Sequence, residues 1–181
     1  MKSIILFFWE TIKVVIVALL IVIPIRYFLF QPFIVSGHSM EPNYSHGDYL
    51  IVEGMSYRIR EPQRGEVIVF HYPENPSVRH IKRIIGLPEE KIIIDNVGIE
   101  IISPEKKSFF LDESEYLISF SVVEKIEIDL KKDEYFVMGD NRSASFDSRR
   151  WGSLPKEYII GKTALRVLPL SDFRIISNPD Y

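Results

Sequence analysis

A long apolar segment near the N-terminus most constrains what this chain can fold into. Every residue from 14 to 25 is apolar or proline. A helix that crosses a bilayer needs about 20 mainly apolar residues. A helix over 11–30 meets this length, with Lys13 and Arg26 able to extend their charges toward opposite headgroup layers. We therefore predict a transmembrane anchor within an N-terminal segment of residues 1–30.

The residues around this segment predict an uncleaved anchor with a cytoplasmic N-terminus. A cleavable signal peptide has a shorter apolar core followed by small residues, whereas residues 27–34 are bulky and largely aromatic. Lys2 and Lys13 are the only cations before the span, and this bias keeps the N-terminus inside. The prediction is a single-pass protein of the cytoplasmic membrane, in contact with lipid, whose residues after about 31 lie outside the cytoplasm.

Composition limits what the rest of the chain can be. The 181 residues, 46% of them hydrophobic, suffice for the anchor and one modest globular domain over 31–181. The net charge of −3 and the absence of a long Lys/Arg run argue against a nucleic-acid partner. Because the sequence has no cysteine, disulfides, thiol catalysis and cysteine-bound metals are excluded.

The residues after the anchor follow a strand pattern. Pro32 ends the helical run because its ring removes a donor and restricts the preceding residue. Short β-branched or aromatic segments bounded by turn residues then recur at 48–52, 66–70, 91–94, 98–102, 117–123, 125–130 and 135–138. They predict a mainly β, antiparallel domain over 31–181. The charged stretch 95–133 is either a small inserted hairpin subdomain or part of the same core.

Ser39 is the first candidate catalytic residue, in a Gly-containing turn just outside the anchor. A serine attacks a carbonyl group when a base removes its proton and donors receive the oxyanion. Gly37 permits close approach of a substrate backbone, while Met40 and Pro42 can wall the turn. By itself, the Ser-Gly-x-Ser pattern is more typical of an ordinary turn.

Lys82 is the candidate base. A free lysine has a pKa of about 10.4 and is almost fully protonated at neutral pH. If residues 80–85 form a strand, alternation places Lys82 on one face with His80 and Ile84. Burial among these isoleucines would lower the pKa of the amine by several units, of order 3 to 5, and make it a competent base. A solvent-facing strand lysine is the alternative interpretation.

The histidines raise a competing chemistry, a Ser-His-Asp triad. With carboxylates that could orient them, the candidates are His38, His46, His71, His80, Asp48, Asp140 and Asp147. None of them lies in a recognisable triad motif. No His-x-x-x-His or Glu-x-x-His spacing occurs, so no metal site is predicted.

A polar loop follows the last predicted strand. Residues 139–149 read Gly-Asp-Asn-Arg-Ser-Ala-Ser-Phe-Asp-Ser-Arg. Their density of donors and acceptors suits a shell that holds a neutral lysine in place. The simpler interpretation is a solvated polar loop.

Four stretches in order resemble the sequence boxes of type I signal peptidases, particularly the compact members. They are the Ser39 turn, the segment 47–52, the Lys82 stretch and the loop 139–149, all after an N-terminal anchor. The resemblance implies a signal peptidase/LexA-like β-fold and a membrane-bound serine endopeptidase that removes signal peptides from exported preproteins. Ser39 would be the nucleophile and Lys82 the general base, with no metal or cofactor.

The resemblance also implies roles for residues around this dyad. Ser145 would orient the lysine amine, Asp147 and Arg149 would shape the site, and Arg83 with Asp140 would form a supporting ion pair. The substrate cleft would be lined by Phe33, Ile34, Val35, Met40, His80 and Ile81.

Two positions depart from the family's pattern. Asn43 follows the box proline where the family often has threonine, which we interpret as a turn-compatible replacement. Gly37 stands where some members place a hydroxyl residue. Stabilisation of the oxyanion would therefore rest on the backbone N–H of Ser39.

Three other functions compete with this interpretation. They are a specialised Ser/Lys processing protease for one secretion or conjugation substrate, a LexA-like autoproteolytic repressor, and a catalytically silent membrane-anchored module that binds precursors. The anchor and the lack of a DNA-binding segment argue against the repressor. The distance between Ser39 Oγ and Lys82 Nζ separates the enzymes from the silent module.

Overall fold

The computed structural model describes residues 2–28, 31–117 and 125–179. Its helices and strands are α1 (Lys2–Phe28), β1 (Gln31–Ile34), β2 (Tyr49–Glu53), β3 (Val67–Tyr72), β4 (Asn75–Gly86), β5 (Lys91–Ile94), β6 (Ile99–Ile102), β7 (Ser108–Phe110), β8 (Ile126–Asp129), β9 (Glu134–Met138), α2 (Ser148–Trp151), β10 (Leu154–Pro155), β11 (Ile159–Leu168) and β12 (Arg174–Ile175). Short 3-10 turns lie at Ser56–Arg58, Lys156–Tyr158 and Leu170–Asp172.

The apolar N-terminal segment is helical, and α1 begins earlier than the predicted span at 11–30. The side chains described in this helix, those of residues 7–22, are all exposed. Among the described residues, no helix combines the length and the hydropathy that crossing a membrane requires.

Most strands form one large antiparallel sheet. Its order is β1-β2-β11-β3-β4-β9-β10, and β12 pairs with β11 at the side of this path. Every strand pairing described in the two sheets is antiparallel, which confirms the predicted mainly β, antiparallel fold. Strands β1 and β11 were not among the predicted segments, although β11 lies between β2 and β3.

The centre of this sheet is buried on both faces. Along β3, Val67 and Val69 face one apolar cluster, while Ile68 and Phe70 face another. The neighbouring strand β4 is buried from Ile81 through the end of the strand. A side chain on this part of β4 therefore meets apolar neighbours whichever face it occupies.

The second sheet has the order β7-β6-β5-β8 and packs on the main one. Ile85 and Phe136 of the main sheet share an apolar cluster with Ile92 and Ile99 of the small sheet. The small sheet begins at Lys91, ahead of the predicted insert at 95–133, and that domain boundary stays a prediction. Most of the predicted strand at 117–123 lies outside the described residues.

Candidate active site

The two candidate catalytic residues meet beside β4, an interior strand of the large sheet. Lys82 Nζ lies 2.7 Å from Ser39 Oγ and donates a second hydrogen bond of 2.9 Å to the carbonyl oxygen of Ile81. Lys82 is only 4% exposed, and the register opposite Ile68 places it on the face of β4 that also carries His80 and Ile84. The predicted strand and the predicted face of Lys82 are both confirmed.

Burial changes the acid–base behaviour of this amine. Removal from water lowers the pKa of Lys82 to about 8, and the carboxylates of Asp147 and Asp140 partly oppose the shift. At pH 7 about one amine in ten is then neutral, against fewer than about one in a thousand for a free lysine. The hydrogen-bonded amine can therefore accept a proton from the Ser39 hydroxyl.

Ser39 lies in the connection between β1 and β2, which we call the Ser39 turn, and backbone hydrogen bonds fix this connection. Val35 N donates to Asp48 O at 2.9 Å, and Gly47 N donates back to Val35 O at 2.9 Å. Gly37 has φ +96°, a backbone conformation that favours glycine, and this conformation explains why the position carries no larger residue. These bonds hold the turn that presents Ser39 toward β4.

Gly139, at the start of the loop after β9, packs closely against the Ser39 turn. A Cβ atom at this position would lie well inside van der Waals contact with both Ser39 O and Ser145 Oγ. The same loop fastens the turn through a 3.0 Å hydrogen bond from Asn141 N to Ser39 O. The sequence placed Gly139 at the start of a polar loop, but only the fold shows that its missing side chain lets two chain segments meet.

The predicted ion pair between Arg83 and Asp140 is present and buried. Arg83 Nη2 and Nε donate to the two carboxylate oxygens at 2.6 and 2.8 Å. Asn43 Nδ2 donates to the same carboxylate at 2.9 Å and to Tyr116 O at 2.8 Å. Asn43 thus joins the Ser39 turn to Asp140, the partner of Arg83, which is a role beyond the turn-compatible replacement that the sequence indicated.

Removing this bridge tests its importance. In Asn43→Ala we expect kcat to fall about ten- to a hundredfold with little change in KM, because the Ser39 turn loses its link to Asp140. Asn43→Thr should retain more activity, since a hydroxyl can still donate to the carboxylate. Asn96→Ala, in an exposed turn of the small sheet, is the matched control. A wild-type kcat in Asn43→Ala would reduce Asn43 to a turn residue.

The supporting residues predicted in the loop 139–149 lie together, but one of them, Ser145, lacks the hydrogen bond predicted for it. Asp147 is fully buried, and although burial alone would raise its pKa, the hydrogen-bonded Arg149 guanidinium, 2.8 Å away, holds the pKa below its usual value. Asp147 also accepts from Gly139 N at 3.0 Å. Ser145 Oγ is buried beside this carboxylate and helps to lower the pKa of Asp147, but among the described residues no hydrogen bond joins it to Lys82 as the resemblance implied.

A buried ion pair that the sequence did not predict fastens the same loop. Arg142 Nη1 donates to Glu113 Oε2 at 2.8 Å, and Arg142 Nε donates to Gly139 O at 3.1 Å. Arg142 lies in the loop that we predicted to be functional, but its partner is 29 residues away in sequence. No local pattern could have identified that partner.

The predicted cleft residues divide between two faces of the structure. Phe33, Val35, Met40 and Ile81 pack in one buried apolar cluster. Met40 and Ile81 directly adjoin Ser39 and Lys82 in the chain, so this cluster lies beside the dyad. The other two predicted residues lie elsewhere, Ile34 61% exposed on the opposite side of β1 and His80 on the lysine face of β4.

The four histidines contact residues other than Ser39. Their contacts include His38 with Glu41, His46 with Gly37, His71 with Pro76 and His80 with Tyr72. In the described part of the chain no hydrogen bond joins a histidine to Ser39 Oγ, so the geometry does not support a triad. Within residues 2–28, 31–117 and 125–179, no three His, Asp or Glu side chains are placed to hold a metal ion.

A serine hydroxyl in contact with a buried amine of lowered pKa, on an antiparallel sheet, is the arrangement of serine hydrolases that use lysine as the general base. Comparison with known proteins narrows this class. The family model described as signal peptidase, peptidase S26, matches residues 8–168, and the chain belongs to this family.

Individual relatives agree with this assignment. The chain is 34% identical to signal peptidase I of Leptolyngbya laminosa over 178 residues, which cover 94% of this chain and 84% of that protein. It is 33% identical to the probable signal peptidase I-2 of Synechocystis sp. over 171 residues, covering 92% and 76% of the two chains. A crystal structure of a signal peptidase I from Enterococcus faecalis covers 57% of this chain and 97% of its own, with 27% identity and a TM-score of 0.46.

Proposed function

We propose that this protein is a serine endopeptidase that removes signal peptides from exported preproteins, with Ser39 as nucleophile and Lys82 as general base. The observation that carries the proposal is the 2.7 Å contact between the hydroxyl and a buried amine whose pKa is about 8. Membership of the signal peptidase family supports the substrate class. A silent precursor-binding module would have no need of this contact.

The proposed reaction follows from the positions of the two groups. Ser39 Oγ attacks the scissile carbonyl carbon as its proton passes to Lys82 Nζ. The C–N bond then breaks, and the lysine ammonium returns the proton to the leaving amine. Water attacks the resulting ester with Lys82 again as base, which releases the signal peptide as a carboxylic acid and restores Ser39. No metal or cofactor takes part in these steps.

The proposed oxyanion donor is the backbone N–H of Ser39. Among the described residues, this N–H donates no hydrogen bond, so it is available to an incoming oxyanion. The carbonyl oxygen of His38, which belongs to the same peptide group as this N–H, accepts a 3.0 Å hydrogen bond from Asn141 Nδ2, and this bond fixes the orientation of the donor. Gly37, with no side chain beyond Cα, leaves the approach to Ser39 open.

The apolar cluster beside the dyad supports a preference for small side chains before the cut. Phe33, Val35 and Ile81 already fill this region with buried side chains, which leaves little room for a bulky substrate residue. An extended substrate with small residues at the first and third positions before the cut would fit, as the small-x-small rule of signal peptides implies.

We further propose that α1 anchors the enzyme in the cytoplasmic membrane with the catalytic domain outside. Large apolar side chains of this helix are exposed, among them Phe7 at 69%, Val14 at 68% and Leu20 at 68%. Such a surface is unfavourable in water at about 25 cal/mol for each Å² and favourable in lipid. Lys2 and Lys13, the cations that precede the apolar run, support the stated orientation.

The proposed topology predicts the outcome of limited proteolysis on intact spheroplasts. Added protease should digest the residues after about 31, because that part of the chain would lie outside the membrane. A cytoplasmic marker protein should stay intact in the same sample. Full protection of the catalytic domain would contradict the orientation.

The function itself is tested by incubating the detergent-solubilised full chain with a preprotein that carries a small-x-small cleavage site. We expect cleavage after that site, identified by sequencing the new N-terminus of the product. The Ser39→Ala variant is the control for contaminating proteases. Binding of the preprotein without any cleavage would favour the silent module, and cleavage of one specialised precursor alone would favour the processing protease.

A further inference from the structure

An aromatic surface lies beside Lys82, and of its residues only His80 has a role in the account above. We call it the aromatic wall, and its residues are Tyr72, His80, Phe146 and Trp151. The ring of Tyr72 stacks on His80 with centroids 5.1 Å apart, and it meets Phe146 and Trp151 edge to face at 5.9 and 5.8 Å. The wall therefore joins the end of β3 and the middle of β4 to the loop 139–149 and helix α2.

The strand register places this wall on the same face as the catalytic base. His80 and Lys82 stand opposite Phe70 and Ile68, so all of them occupy one face of the sheet. Along this face Ile84 is fully buried on one side of Lys82. On the other side the face leads over His80 toward solvent. From Lys82 this face is thus open to a peptide toward His80, where β4 becomes exposed.

The wall is open to solvent where a peptide would pass. Phe146, between Ser145 and Asp147 in the chain, is 49% exposed. Both His80 Nδ1 and Trp151 Nε1 are buried without a hydrogen-bond partner among the described residues. Burial of unpaired polar atoms lowers stability, so the stability of the fold alone does not explain this arrangement.

Proton transfer fixes which part of a substrate lies near the wall. Lys82 must return its proton to the leaving amine, so the first residue after the cut has its nitrogen within hydrogen-bond reach of Lys82 Nζ. The residues before the cut lie toward the apolar cluster of Phe33, Val35 and Ile81 on the other face. The residues after the cut then leave over the lysine face, past His80 and Phe146.

We propose that the aromatic wall is a binding subsite for the side chains of the first two residues after the cut, and that it favours apolar and aromatic side chains there. The inference rests on the proposed function. The requirement for small side chains concerns only the residues before the cut. The aromatic wall would add recognition of the mature part of the substrate, after the cut. Phe146 is the residue best suited to test it, since it is 49% exposed while the other three residues of the wall are partly buried.

The test uses peptides with one fixed signal sequence and a small-x-small site, in which each of the first two positions after the cut carries Phe, Leu, Gly or Ser in turn. For wild-type enzyme in detergent we expect kcat/KM to be about two- to tenfold higher with Phe or Leu than with Gly, the range of one aromatic contact. In Phe146→Ala this ratio should fall toward one, and in Phe146→Leu most of it should remain. Phe110→Ala, which removes a 59% exposed ring from β7, is the control and should leave the ratio unchanged.

The outcomes separate this inference from the proposed function. If wild-type enzyme cleaves no peptide, the proposed function fails. If it cleaves all of them with no preference after the cut, or if Phe146→Ala lowers kcat/KM equally for every peptide, the subsite is wrong while the function stands. A loss in Phe146→Ala that appears only in lipid vesicles, whatever the peptide, would identify Phe146 as a membrane contact and overturn the subsite.

Discussion

Replacement of either member of the dyad is expected to lower the rate of preprotein cleavage at least about a thousandfold while the protein remains folded. Ser39→Ala removes the nucleophile, and Lys82→Ala removes the group that takes its proton. Lys82 is a cation buried among apolar residues, so its loss removes a desolvation cost and should not unfold the domain. The measurement is turnover on a preprotein, together with the thermal unfolding midpoint of each variant.

Matched substitutions make this result specific to the dyad. Lys91→Ala removes a lysine of the small sheet that pairs with Glu127, and it should keep wild-type turnover. Single substitutions of the four histidines should also leave most of the activity. Near-normal turnover in Ser39→Ala or Lys82→Ala would show that the Ser/Lys mechanism is wrong. A histidine variant that is folded but inactive would support a Ser-His-Asp triad instead.

The Gly139→Ala substitution is expected to have the second largest effect, about a hundredfold or more on kcat. The added methyl group would overlap Ser39 O and Ser145 Oγ, so the Ser39 turn and the loop 139–149 must move apart. A displacement of about 1 Å at a reacting group is enough for a loss of this size. Overpacking should also lower the free energy of unfolding, by about 1 to 3 kcal/mol.

A second glycine separates the two effects of this substitution. Gly98 in the small sheet has φ +155° and open space around a new Cβ atom, with only Phe110 in ordinary contact at 3.7 Å. Gly98→Ala should therefore lower stability through backbone strain without lowering kcat. If Gly139→Ala and Gly98→Ala lose the same share of kcat, stability rather than alignment explains the loss.

The sequence predicted those parts of the fold that depend on local pattern. The segment 91–94 is a strand with the predicted bounds, and 135–138 is one residue short of the observed β9. Strand β11 was missed because Gly161 interrupts its β-branched residues. A side chain there would overlap the backbone of Glu53, so close pairing with β2, and not strand propensity, determines that residue.

The candidate site likewise has features that local sequence patterns predict and features that they do not. The dyad and the Arg83–Asp140 pair follow from motifs whose order in the chain was visible. The bridge made by Asn43 and the crowding at Gly139 depend on contacts between residues far apart in sequence, which no local pattern reports. The implied hydrogen bond between Ser145 and Lys82 is absent from this structure, so a catalytic role of Ser145 stays a prediction.

The pH dependence of kcat/KM on a preprotein tests the central claim most directly, because it reports the ionisation of the base in the free enzyme. Burial lowers the pKa of Lys82 to about 8, and only the neutral amine can accept the Ser39 proton. Activity should therefore be low when the amine is charged, rise as pH increases through about 8, and level off above it. A flat profile, or a midpoint near the usual histidine pKa of about 6.5, would contradict a lysine base.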